Sequence, residues 1–270
     1  MAEEEVIVER DGAVAVVTIN RPQVHNALNA GTLRGIADAV AALRASGTVG
    51  AIVITGAGER AFSAGADLDE LAGLDAQQAH GVLEAGQRIL AAIEHNPVPV
   101  IAAVNGVALG GGFELVLSAA FPVLSTRASF GLPESGLGLI PGYGGTQRLP
   151  RVVGPAVAAH LMLTGARLSA ERAYALGLSP LAPVEPAELL AVATGVAREV
   201  AARGPRAHAA ILRVLRAGAP RPAELALETA LAAIATAGAE AAEGIAAFKG
   251  RRQASFDRLP AEPGPNGNGR

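Results

Sequence analysis

The chain has 270 residues, half of them hydrophobic but only 3% aromatic, so a sizeable core has to be built from Ala, Val, Leu and Ile. Its formal net charge is −3, from 22 basic and 25 acidic residues, which argues against a nucleic-acid partner that needs a basic face. The absence of cysteine excludes disulfides, thiolate nucleophiles and Cys-based zinc sites.

The start, Met1 to Glu5, is acidic and lacks the apolar stretch of a signal peptide or the Arg-rich character of a transit peptide. No run of about 18 uninterrupted apolar residues follows, so no membrane span and a cytoplasmic location are expected. Val6 to Val8 and Val14 to Ile19 read as paired strands joined at Asp11-Gly12. Apolar residues at Leu33, Ile36, Ala37, Val40 and Leu43 give a helix over 28–43. Gly50 to Thr55 and Val98 to Val104 are short apolar runs rich in β-branched residues, hence buried strands, with a helix over 82–93 between them. Gly110-Gly111-Gly112 opens a short helix over 113–120. Strand, helix, strand, glycine turn and helix predict an α/β fold with a partly parallel sheet. From Pro155 onward helical stretches dominate. The expected division is an α/β core over 1–200, a helical C-terminal region over 201–258 that serves oligomerisation, and a disordered Pro/Gly/Asn-rich tail over 259–270.

Two glycine turns follow buried strands. One is Phe62-Ser63-Ala64-Gly65-Ala66-Asp67-Leu68 and the other is Gly110 to Gly112. The first amides of a helix lack partners within it and carry partial positive charge, and glycine lets a ligand approach them. Two such turns could supply the converging N–H groups of an oxyanion hole, although three glycines alone more often mark a tight turn. Glu114 lies just inside the second helix, where a carboxylate either caps the helix or does proton transfer. Glu134 stands in Gly131-Leu132-Pro133-Glu134-Ser135-Gly136-Leu137, apolar apart from itself and Ser135. An acid in such a stretch needs a partner or a raised pKa, unless it faces solvent. Two such carboxylates can divide acid and base work.

Together these segments resemble the crotonase (enoyl-CoA hydratase/isomerase) superfamily over roughly residues 5–257. Further blocks in family order support this: Asn20-Arg21-Pro22 with Asn26-Ala27-Leu28, Pro99 to Gly106, Gly138-Leu139-Ile140-Pro141-Gly142-Tyr143-Gly144-Gly145-Thr146-Gln147-Arg148-Leu149, and Glu243 to Phe248 with Arg251-Arg252. The resemblance implies a ClpP/crotonase-like spiral of β-β-α units with a helical C-terminal region. It also implies hydration of a 2-enoyl-CoA thioester. The amides of Ala66 and Gly111 would hold the thioester oxygen, Glu114 would activate water, and Glu134 would deliver a proton to Cα. Substrate and CoA contacts are expected from Asn26, Ala27, Leu28, Ala64, Ala66, Asp67, Leu68, Gly142 and Tyr143. A homotrimer or dimer of trimers is implied, with an acyl-CoA as substrate and no metal or redox cofactor. The chain departs from the family pattern at Ala119-Ala120, where relatives often carry Cys-Asp. Tyr143 and Phe113 are bulkier than usual and are expected to shape the acyl pocket.

Rival readings are weaker. Gly56-Ala57-Gly58-Glu59-Arg60-Ala61 fits a dinucleotide fingerprint, but another glycine turn follows it instead of a long helix. The five histidines are scattered without ligand spacing, and no G-x-S-x-G elbow supports a hydrolase. A Δ3,Δ2-enoyl-CoA isomerase, or a dehydratase of a specialised acyl-thioester, shares the same residues. An RNA-binding relative would want a Lys-rich helix, and Lys249 is the chain's single lysine.

Overall fold

The structure is a computed structural model that describes residues 4–216 and 222–255; the tail expected over 259–270 lies outside the described residues. The strands are β1 (Val6–Asp11), β2 (Val14–Ile19), β3 (Ala51–Gly56), β4 (Ala61–Ser63), β5 (Val100–Val104), β6 (Val107–Leu109), β7 (Phe121–Leu124), β8 (Ser129–Gly131) and β9 (Leu168–Ser169). The α-helices are α1 (Ala30–Ala45), α2 (Leu68–Leu71), α3 (Ala76–Glu94), α4 (Gly111–Ser118), α5 (Gly145–Val153), α6 (Pro155–Thr164), α7 (Ala170–Ala175), α8 (Leu189–Ala201), α9 (Pro205–Leu215), α10 (Pro222–Ala237) and α11 (Ala239–Lys249).

The strands form two sheets, in the orders β1-β2-β3-β5-β7 and β4-β6-β8-β9. Only the end pairs, β1 with β2 and β8 with β9, are antiparallel. All the other pairs are parallel. The apolar runs at β3 and β5 are explained by burial on both faces. Ile52, Ile54, Val100 and Ala102 join the main core, whereas Ala51, Val53, Ile101 and Ala103 pack under α8 with Leu189, Ala193 and Ala197. A strand covered on both sides has no reason to alternate with polar residues.

One step recurs. The chain leaves a strand of the first sheet, adds a strand to the second and returns by a helix: β3-β4-α3, β5-β6-α4 and β7-β8-α5. This is a spiral of β-β-α units. The second sheet was not foreseen as a sheet, because β4, β6 and β8 have only three residues each, too short to show a period. Helix α3 also begins earlier than expected. Asp75 and Gln78 close a capping box there, each accepting from the other's backbone N–H.

The N-terminal turn is held by buried Asn26, whose backbone is left-handed at φ 57°. Its Oδ1 accepts from the Arg21 N–H, and its Nδ2 donates to the carbonyls of Ala57 and Ala61. Leu28 then bridges to the first glycine turn, and the Arg21 guanidinium pairs with Asp67 at 3.2 Å. These links fix the first turn relative to β4.

The C-terminal helices do more than present an outer surface. Helix α10 packs along α3, with Ala232 and Ala233 in the main core. Helix α11 lies against the 134–137 turn so closely that a Cβ on Gly244 would come within 2.5 Å of the Leu137 carbonyl. No single helix among the described residues is long and apolar enough to cross a membrane; only the pair α10 and α11, bent by 67°, reaches that length and composition together.

Candidate active site

The two glycine turns meet at the ends of β4 and β6. Gly65 has φ 99°, and a Cβ there would stand 2.7 Å from the Leu109 carbonyl and 3.3 Å from the Gly111 nitrogen. A Cβ on Gly111 would lie 3.4 Å from the Ala66 nitrogen and 2.9 Å from the Tyr143 ring. The Ala66 and Gly111 amides are therefore neighbours, and only glycines allow this approach. The bridge between Leu28 and the first turn uses Leu28 N–H to the Gly65 carbonyl and Asp67 N–H to the Leu28 carbonyl. That leaves the Ala66 N–H outside the ladder. Gly111 opens α4, so its N–H has no partner within the helix.

Both amides border a cavity of about 400 Å³ with mostly apolar walls, which include Leu71, Leu83, Leu109, Leu137 and Ile140. Glu114 and Glu134 line this same cavity, as do Ala64, Ala66, Leu68, Gly142 and Tyr143. Thr236 from α10 and Phe248 from α11 close part of the wall. Other expected contacts lie behind it. Asn26 and Leu28 are buried in the turn that supports the first amide, and the Ala27 carbonyl accepts from the Arg21 guanidinium. Asp67 caps α2 and pairs with Arg21. From the Asn26–Leu28 neighbourhood, it is His25 that reaches the cavity. Phe113 does not shape the pocket as expected. One position along the helix turns its side chain into the core, where it packs on Phe130 with ring centroids 5.1 Å apart.

Glu114 does not cap its own helix. Its Oε1 accepts from the backbone N–H groups of Tyr143 at 2.8 Å and Gly145 at 2.7 Å. Burial holds this carboxyl well above its ordinary range, and the neighbouring Glu228 and Glu134 carboxylates add to the rise; the Gly145 and Tyr143 amides work against it. Glu134 starts a short 3-10 turn over Glu134–Leu137. The residue is half-buried, but its Oε2 is fully enclosed and has no hydrogen-bond partner among the described residues. Burial pushes this carboxyl up to about 7; its own backbone amide opposes the shift and Glu228 adds to it. The Tyr143 phenol is also pushed up by burial, then by Glu114.

The family model for enoyl-CoA hydratase/isomerase matches residues 9–258. The chain belongs to the enoyl-CoA hydratase/isomerase family. It is 39% identical over 262 residues to the crotonyl-CoA hydratase of Syntrophomonas wolfei, covering 95% of this chain and 99% of that one. It is 42% identical over 200 residues to the short-chain-enoyl-CoA hydratase of Clostridium acetobutylicum, covering 74% and 76%. Among solved structures, a carnitinyl-CoA hydratase from Mycobacterium avium superposes with a TM-score of 0.84 at 32% identity, covering 96% of this chain and all of that one, 100%. An enoyl-CoA hydratase from Bacillus anthracis superposes at 0.76 with 34% identity, covering 94% and 99%.

This enoyl-CoA hydratase/isomerase family member carries a third buried acid that sequence reading missed. Glu228 on α10 accepts from the amides of Gly144 at 2.5 Å and Thr146 at 2.9 Å, from the Thr146 hydroxyl, and from Gln87 Nε2 at 3.1 Å. Burial raises its pKa, against the pull of these donors. Arg148 stood in a family-like block of the sequence, with no role assigned to it. It is buried in an ion pair with Glu94 at 2.8 Å, and its Nη1 donates to the Tyr143 carbonyl at 2.6 Å. The available signal for Glu228 was an acid within an otherwise Ala/Leu-rich helix, but its partners lie more than 80 positions away. Among the described residues no group of three His, Cys, Asp or Glu is placed to hold a metal ion.

The raised pKa of Glu134 has a consequence for stability. The folded state holds this proton more tightly than the unfolded chain, where the carboxyl titrates near 4.5. Its contribution is complete below about 4.5 and is lost as pH rises through about 7. Urea unfolding of the native protein should therefore show stability falling across that window, with a shallower slope in Glu134→Gln. An identical slope in the variant would contradict the assignment.

Proposed function

We propose that the protein is an enoyl-CoA hydratase in which Glu114 and Glu134 move the protons and the Ala66 and Gly111 amides hold the thioester oxygen. The reading rests on one observation: two carboxylates of raised pKa line the same apolar cavity beside two neighbouring backbone N–H groups with no ladder or helix partner among the described residues. The hydratase names of relatives that match most of the chain agree with it.

In hydration, Glu114 takes a proton from water while the water oxygen forms a bond to Cβ. The π electrons of the double bond shift, and negative charge gathers on the thioester oxygen. Two fixed amide donors stabilise that charge where it develops, and removing one such donor typically costs about 3–4 kcal/mol of transition-state stabilisation. The enolate then collapses as Cα takes the proton of Glu134, which gives a 3-hydroxyacyl thioester. Dehydration runs the same steps backwards. The amides polarise the carbonyl, so the scheme calls for no metal or redox cofactor. The second glutamate distinguishes this reading from a Δ3,Δ2-isomerase, which can shuttle one proton on one acid. The Tyr143 ring fills the space over Gly86 and Gly111, which suits a short acyl chain.

Assembly as a trimer or a dimer of trimers is part of the proposal. Leu227, Leu231 and Ile234 fall on one face of α10 at helical spacing, and each is at least half exposed. A double Leu231→Glu, Ile234→Glu variant should run at a smaller mass than the native protein in light scattering. A native protein that is already monomeric would contradict the assembly.

The enzymatic test is loss of enoyl absorbance with crotonyl-CoA and a panel of longer and branched thioesters. Glu114→Gln and Glu134→Gln should each lower kcat by about 10²-fold or more, with the fold retained by circular dichroism. Near-native hydration by either variant would remove that residue from the mechanism.

A further inference from the structure

The segment from Tyr143 to Thr146 carries four successive backbone amides, and their partners alternate. Tyr143 and Gly145 donate to Glu114; Gly144 and Thr146 donate to Glu228. Gly144 makes the alternation possible with φ 100°, a left-handed conformation that turns successive N–H groups to opposite sides of the strand of chain. The Thr146 hydroxyl adds a further donor to Glu228. The Tyr143 carbonyl on the same segment is held by Arg148. The segment is thus gripped between two buried carboxylates, one facing the cavity and one behind it. Glu228 is buried yet is not among the residues that line the cavity. It sits on α10, between that helix and Gln87 of α3.

We propose that Glu228 is a positioning residue for catalysis: by holding the Gly144 and Thr146 amides it fixes the register in which Tyr143 and Gly145 present theirs to Glu114. Without Glu228 the donors of Gly144 and Thr146 lose their acceptors, and the segment is free to turn. Rotation of even one peptide unit would take an amide away from Glu114 and change where its free oxygen points into the cavity. Small misplacements of a reacting group can cost about 10²-fold in rate. The effect should appear in turnover and not in substrate affinity, because Glu228 itself does not reach the cavity. This inference rests on Glu114 acting on substrate as proposed above.

The test is steady-state hydration of crotonyl-CoA by Glu228→Gln, Glu228→Ala and Thr146→Val, normalised to folded protein by circular dichroism. Gln keeps the size and one acceptor but turns an NH2 toward two donors. Thr146→Val removes the hydroxyl that donates to Glu228, and with it the acceptor of Gln147 Nε2, and nearly keeps the volume. The expected result is a kcat lowered about 10- to 100-fold in the Glu228 variants and less in Thr146→Val, with KM within about twofold. In the Glu114→Gln background, Glu228→Gln should cause little further loss, since the two act through one group. Native kcat in folded Glu228→Gln, a loss carried by KM, or full additivity with Glu114→Gln would each overturn the proposal. Should neither Glu228 variant fold, Thr146→Val decides alone, and a native kcat there overturns it. Near-native turnover by Glu114→Gln instead removes the mechanism beneath this inference. An impaired Glu114→Gln with unimpaired Glu228 variants removes only the positioning role.

Discussion

Taking the Glu114 carboxylate out of water costs several kcal/mol unless donors meet it. Those donors come from a single stretch of chain, Tyr143 to Gly145. The stretch needs its own restraints, and the structure provides them from three directions: Glu228 on α10, Arg148 on α5 with its Glu94 partner on α3, and the glycine backbone at 144. Helices α3, α5 and α10 are thereby tied through the 143–146 segment to the surroundings of one buried acid. The same arrangement explains why a chain with a small-residue core keeps a cluster of polar groups inside it.

The electrostatics follow from that burial. Three carboxylates share an enclosed region, and each has its pKa raised first by desolvation. Glu228 and Glu134 each add to the rise of Glu114, so the protons leave the cluster as a coupled set. An apolar cavity strengthens every charge interaction within it. In the proposed mechanism that would strengthen two amides acting on a developing oxyanion, and it favours an acid that can still hold a proton near neutrality.

Part of this was legible in the sequence. The strands and helices of the first sheet, the two glycine turns, and Glu114 with Glu134 as candidate acids stand in continuous segments, whereas the β-β-α spiral was implied only by the family resemblance. Glu134 was recognisable because an acid among Gly, Leu and Pro has no local partner. What escaped was set by contacts distant in sequence. The three-residue strands of the second sheet exist because neighbours pair with them. Glu228 and Arg148 look like ordinary helix charges until α10 and α5 are brought together. The role of the Asn26 side chain in holding the turn, through three hydrogen bonds to Arg21, Ala57 and Ala61, has no local signal either. Phe113 and Glu114 are adjacent in sequence, but successive positions on α4 point one into the core and the other into the cavity.

In the proposed mechanism a thioester oxygen sits between two amides with the two glutamates on either side of the reacting carbons. A crystal structure with a bound 3-hydroxyacyl-CoA measures this directly. The thioester oxygen should lie about 2.7–3.1 Å from the nitrogens of both Ala66 and Gly111, with the 3-hydroxyl against Glu114 and Cα facing Glu134. A thioester carbonyl bound elsewhere, or a 3-hydroxyl turned away from Glu114, would contradict it.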